Sequence, residues 1–173
     1  MRKNNKVVLS GLFIALGIII PFFAGHAFGI RGTVFLPMHI PVLLCGLMCG
    51  PKYGLLCGVL TPLLSSLITG MPPTFPMLPV LICELSLYGM ISGWAYRVRG
   101  YSIYLALFFA ILAGRITNGI ILAALLSFDT SRLVLLSSVY SVLKGLPGVV
   151  IQFTLVPILV KYLEGKMSKE EQC

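Results

Sequence analysis

Acidic side chains are nearly missing from this chain. Five occur in 173 residues, and charged residues of both signs make up only 10%. An ordinary soluble domain carries about 25% charged and about 45–50% apolar residues. Here the apolar share is 58% and the mean hydropathy is +1.00, which excludes such a domain. Glu84 is the one carboxylate within an apolar run, so a di-acid active site is excluded as well. None of the five cysteines stands in a C-x-x-C, and no His or Cys pair completes a ligand set. This argues against a metal site and against a disulfide framework. Cys45 and Cys49 share a helix face, but cysteine in an apolar helix is usually a small hydrophobe.

Other absences narrow the function. There is no G-x-x-x-x-G-K-[ST] loop, no G-x-G-x-x-G, no G-x-S-x-G elbow and no H-E-x-x-H. The chain therefore brings no energy-coupling machinery, no catalytic residues and no cofactor that its residues identify. The formal charge of +8 is not arranged as a basic stripe interleaved with exposed aromatics, so nucleic acid is not a partner.

Long apolar runs fill the chain instead. A transmembrane helix with its connection uses roughly 25–30 residues, so this length holds about six spans and no soluble domain. The runs predict spans at 7–24, 35–50, 55–69, 77–96, 101–128 and 149–163, forming one all-α membrane domain over residues 1–173. The N-terminus resembles a signal peptide, with Arg2, Lys3 and Lys6 ahead of an apolar run. No A-x-A-like site follows it cleanly, and it reads as a retained first helix. Spans 2 and 3 are short and carry Pro37, Pro41 and Pro62, which predicts kinked or partly unwound helices of the kind that line transporter sites. The segment 129–148 reads equally as a short helix, a re-entrant loop or a lid.

Basic residues set the topology. With the N-terminus inside, Arg2, Lys3, Lys6, Lys52, Arg97, Arg99, Lys161, Lys166 and Lys169 all fall on the cytoplasmic side, nine of the 13. Arg31, Arg132 and Lys144 fall outside, and Arg115 lies within a span. Such a bias places both termini in the cytoplasm.

Ionisable residues inside the spans mark a candidate site. A charged group at the bilayer centre costs at least about 2.5–3.5 kcal/mol on insertion scales, so it normally faces protein or a wet cavity. Glu84 lies in span 4, and Arg115 and Asn118 share a face of span 5. They read either as a solute site or as a structural ion pair between two helices. His39, flanked by Pro37 and Pro41, reads as a ligand contact or as an imidazole satisfied by a freed carbonyl. Lys144 and Gln152 flank a Gly-Leu-Pro-Gly turn. Lys144 reads as a contact to an anionic solute or as a lysine snorkelling to lipid. Residues 70–76, rich in proline, read as a lid or as a plain turn. On span 1, Gly11, Ala15 and Gly17 offer a small-residue face for a second membrane subunit, or for packing within this bundle.

The chain resembles the substrate-binding S components of energy-coupling factor (ECF) vitamin transporters. The resemblance rests on Phe35-Leu36-Pro37-Met38-His39-Ile40-Pro41-Val42-Leu43-Leu44, on Gly50-Pro51-Lys52-Tyr53-Gly54, on Leu60-Thr61-Pro62-Leu63-Leu64-Ser65-Ser66, on Gly70-Met71-Pro72-Pro73 and on Gly145-Leu146-Pro147-Gly148. It implies a multi-pass subunit of the bacterial cell membrane that binds a vitamin and performs no chemistry. Its implied partners are a transmembrane coupling subunit, docked on the small residues of span 1, and two cytosolic ATPases. It also implies that the subunit topples in the membrane to release its vitamin inward. The Leu-Pro-Met-His-Ile-Pro neighbourhood is similar to pantothenate S components. Folate, hydroxymethylpyrimidine, niacin and cobalamin stay open, as do a small intramembrane enzyme and a purely structural membrane partner.

Overall fold

A computed structural model describes residues 3–28, 37–75, 77–126 and 145–170, without the side chains of 24–28, 122, 123, 125, 126, 146 and 167–170. The described residues form α1 (Lys3–Phe28), α2 (His39–Cys49), α3 (Pro51–Thr69), α4 (Met77–Gly93), α5 (Ile103–Leu126) and α6 (Leu146–Glu170). A π-helical turn, Trp94–Val98, continues α4. Five of these helices are long and apolar enough to cross a membrane, and the 11-residue α2 is shorter. The architecture is the expected all-α membrane bundle.

The short helix is the centre of the bundle. At about 1.5 Å per residue α2 rises only about 16 Å, half of a ~30 Å hydrocarbon core. Every residue of α2 except Ile40 is buried, and it packs against α1, α3, α4 and α6. Its prolines set where it begins. Pro41 occupies the first turn, where a missing N–H costs nothing. Gly50 stops it at φ 98°, a conformation that side chains disfavour. The Gly50 N–H closes on Gly46 O at 2.9 Å, and Pro51 opens α3 directly. Residues 51–54, expected as a turn, are thus the first turn of α3. That helix runs unbroken through Pro62 for 19 residues, so span 3 is neither short nor unwound.

Glycine decides how α3 meets α4. A Cβ on Gly54 would run into the carbonyl of Gly89, and a Cβ on Gly89 into the carbonyl of Gly54. The two backbones touch. In lipid such close packing replaces the hydrophobic drive that water would supply. The contact locks the rotation of α4, and with it the direction of Glu84 and Tyr88.

The two ends of the bundle differ. At one end Arg97 Nε donates to Leu47 O at 2.7 Å and Arg97 Nη2 to Glu164 Oε1 at 2.6 Å, while Tyr96 OH donates to Glu164 Oε2 at 3.0 Å. These bonds tie the π-turn to the ends of α2 and α6. Cys45 Sγ reaches Ser10 Oγ at 3.6 Å, which brings α1 to the same end. Lys6, Lys52, Arg99, Lys161 and Lys166 all belong to helix segments or turns at this end. At the other end lies the loop after α3. Ser65 and Ser66 hydroxyls donate to the carbonyls of Met71 and Pro72, both at 2.8 Å, and Thr69 Oγ1 donates to Met71 O at 3.2 Å. Residues 70–75 are thus a fastened turn with Phe75 exposed. Pro76 and the segment 127–144 lie outside the described residues, and residues 146–148 form the first turn of α6.

Candidate functional site

Three helices bring one carboxylate and its partners together. Glu84, on α4, and His39, the first residue of α2, are each 2% exposed. Asn118 of α5 donates from Nδ2 to Glu84 Oε2 at 2.6 Å. Arg115, one turn earlier on α5, places Nη1 at 3.7 Å from Glu84 Oε1, and His39 Nε2 stands 3.6 Å from the same oxygen. Both distances exceed hydrogen-bond length, so Oε1 faces two cationic or donor groups without bonding either. The Arg115 side chain as a whole is 17% exposed. Its Nη2 points at the start of α6, where a Cβ on Gly145 would lie 2.6 Å away. Glycine there is what lets α6 approach.

The cluster is short of hydrogen bonds. Among the described residues both nitrogens of His39, Glu84 Oε1, Tyr88 OH, Arg115 Nη2 and both polar atoms of the Gln152 amide are buried without a partner. A buried polar group left unpaired costs about 1–3 kcal/mol, and native interiors hold few of them. Four residues with such orphans, His39, Glu84, Tyr88 and Arg115, adjoin one another. Gln152 is fully buried on α6 and makes no hydrogen bond to them. It lies about 10 Å along the helix from Gly145. Lys144 falls outside the described residues.

Tyr88 escapes a reading of the sequence. In an apolar run a tyrosine resembles core. Its ring meets His39 edge to face, with centroids 5.0 Å apart at 84°. It fits against α5 because residue 114 is glycine, where a Cβ would stand 2.7 Å from the ring. Its place one turn after Glu84 was the available signal, since residues four apart share a helix face.

Depth follows from the helix rise. Glu84 is about 10 Å from the start of α4 and about 20 Å from Arg97. The polar cluster therefore lies toward the end that carries the 70–75 turn, away from the basic end.

The small residues of span 1 divide. Gly11 and Ala15 are exposed, and a Cβ on Gly11 meets nothing within 4 Å. Gly17 is buried, and a Cβ there would press on the Thr61 methyl of α3. Helix geometry separates them: residues 11 and 15 are about 40° apart around the axis, residues 11 and 17 about 120°. Gly17 packs this bundle together, whereas Gly11 and Ala15 lie among exposed Val8, Leu12 and Ile19. Of the five long helices, α1 is the least buried.

The described residues form an apolar six-helix bundle around an internal polar cluster, the build of a small integral membrane protein. The profile described as ECF transporter, substrate-specific component, matches residues 5–160. The chain belongs to that family. Its members are the substrate-binding subunits of a transporter, not enzymes, and they associate with the subunits of the ECF module. No curated protein and no solved structure matches the chain.

Proposed function

We propose that this subunit captures a small vitamin at the outer face of the bacterial cell membrane and delivers it inward with a transmembrane coupling subunit and two cytosolic ATPases. The observation that carries the reading is the set of adjoining buried polar atoms without partners around Glu84. Orphaned donors and acceptors at membrane depth are expensive, and a polar solute would satisfy them. Positive-inside placement of the basic end leaves both termini in the cytoplasm and the cluster nearer the outer surface.

Pantothenate is the substrate the chemistry favours. Its carboxylate suits the free edge of the Arg115 guanidinium, a planar fork that holds carboxylates well. Its hydroxyl and amide groups suit Glu84 Oε1, His39 and Tyr88, which offer both acceptors and donors. Asn118 holds Glu84 in place, and Gln152 and Lys144 complete the proposed lining. Mass spectrometry of ligand released from protein purified in detergent tests the reading. Stoichiometric pantothenate is the expected result. Recovery of folate, hydroxymethylpyrimidine, niacin or cobalamin would keep the transport role and replace the substrate. An empty protein whose melting temperature ignores a vitamin panel would leave the Glu84–Arg115 pair architectural.

We assign docking of the coupling subunit to the exposed face of α1 at Gly11 and Ala15. Gly11→Leu is expected to abolish vitamin uptake by whole cells while affinity in detergent stays within about twofold of wild type. Gly17→Leu, which collides with Thr61, is expected to lower thermal stability as well. If Gly11→Leu destroyed binding along with uptake, the face would belong to internal packing and the docking assignment would fail.

A further inference from the structure

A groove of about 310 Å³ runs between α4 and α5 on the outside of the bundle, remote from the Glu84 cluster in chemistry. Its lining is wholly apolar: Ile91 and Trp94 from the α4 side, and Phe109, Leu112, Ala113 and Ile116 from α5. Trp94, Phe109, Leu112 and Ile116 are all exposed. From Phe109 to Ile116 the groove extends about 10 Å along the helix, the reach of a stretch of acyl chain.

Charge fixes which end of the groove is the head. Trp94 closes the groove at the basic end of the bundle, and the Arg99 guanidinium sits over its indole at 4.9 Å. The two arginines of this turn have different fates. Arg97 is engaged by Glu164 and by Leu47 O. Arg99 is exposed and has no acidic partner among the described residues. Stacking on indole uses the face of a guanidinium and leaves its N–H edge free for an anion. An apolar slot with a tryptophan at its mouth and an unpaired arginine beside it has the pattern of a phospholipid: chain, interface, phosphate.

We propose that the α4–α5 groove is a binding site for an anionic phospholipid, with an acyl chain against Ala113 and the head group on Arg99. The choice of an anionic lipid rests on Arg99. A zwitterionic head group would bring its own cation beside the arginine, whereas a singly anionic one would not. The site lies on a different face from Gly11 and Ala15 and does not depend on the vitamin.

Native mass spectrometry of the purified full chain tests this, with phosphatidylglycerol and phosphatidylcholine of identical chains added in equal amounts. Wild type is expected to retain phosphatidylglycerol about fivefold over phosphatidylcholine, the gain one basic residue brings at a membrane surface. Arg99→Gln should erase that preference yet keep chain binding, and Arg99→Lys should keep the preference. Ala113→Phe, which fills the groove, should weaken retention of both lipids. The melting temperature of each variant confirms that it is folded. Equal retention of the two lipids by wild type overturns the proposal, and so does a preference that survives Arg99→Gln. Retention of both lipids undiminished in a folded Ala113→Phe variant would place the chain elsewhere and also overturn it. So would displacement of the lipid by a co-purifying protein seated on this groove.

Discussion

Glu84→Gln is expected to lower vitamin affinity by about 100-fold and to destabilise the protein. The change keeps the shape of the side chain and removes its charge. A hydrogen bond to a charged group contributes about 1.5–3 kcal/mol, and about 1.4 kcal/mol is a factor of ten in affinity. Glu84 Oε1 is the buried acceptor at the centre of the cluster, between His39 and Arg115. Once the carboxylate is neutral, the largely buried Arg115 has no counter-charge among its described neighbours. Removing one partner of a buried ion pair costs about 3–5 kcal/mol, and the lower end applies because Arg115 keeps 17% exposure.

A second substitution separates solute binding from architecture. The double variant Glu84→Gln, Arg115→Gln leaves no unpaired charge, so much of the lost stability should return. If the pair serves the solute, affinity stays low in the double variant. Titration calorimetry with the vitamin and thermal unfolding in detergent read the two quantities independently. Unchanged affinity in Glu84→Gln would show a purely structural pair, and the proposed lining would lose its central residue.

Gly89→Leu is expected to prevent assembly of the native bundle. The obstacle is the backbone carbonyl of Gly54, which cannot rotate away as a side chain would. Relief requires α3 and α4 to separate, and that breaks the contact that aims Glu84 and Tyr88 at α2 and α5. Gly89→Ala already sets a Cβ against that carbonyl, so it should cost at least the ~1–3 kcal/mol usual for overpacking and lower affinity, with the bulkier leucine worse. Gly119→Leu provides the control, since a Cβ there meets nothing within 4 Å. Size-exclusion profiles of heated detergent extracts give the ranking: Gly119→Leu near wild type, Gly89→Ala lower, Gly89→Leu aggregated. A monodisperse Gly89→Leu protein that still bound vitamin would mean the two helices can part without harm.

Most of the helix boundaries lie in the chain's own chemistry. Gly50, at positive φ, and Pro51, at the start of a helix, mark one boundary by rules that act over a few residues. Pro41, in the first turn of α2, acts by the same rules on where that helix begins. The different faces of Gly11 and Gly17 also follow from local geometry, because 100° per residue sets them about 120° apart before any partner is known.

By itself the sequence determined a membrane bundle, the spans that compose it, the end where the basic residues gather, and the ionisable residues that the bilayer would not tolerate alone. Those follow from transfer energies and local backbone preference, which each segment carries with it. Only the tertiary structure decided that Glu84 takes Asn118 as its hydrogen-bond partner while Arg115 and His39 stand farther off. It alone brought Tyr88 into the cluster and made glycine at 54, 89, 114 and 145 a condition of the contacts around it. Those outcomes depend on how far each helix is rotated and how closely it approaches its neighbours. Backbone touching backbone at Gly54 and Gly89 sets both, and residues 35 positions apart in the chain carry no mark of each other until the helices pack.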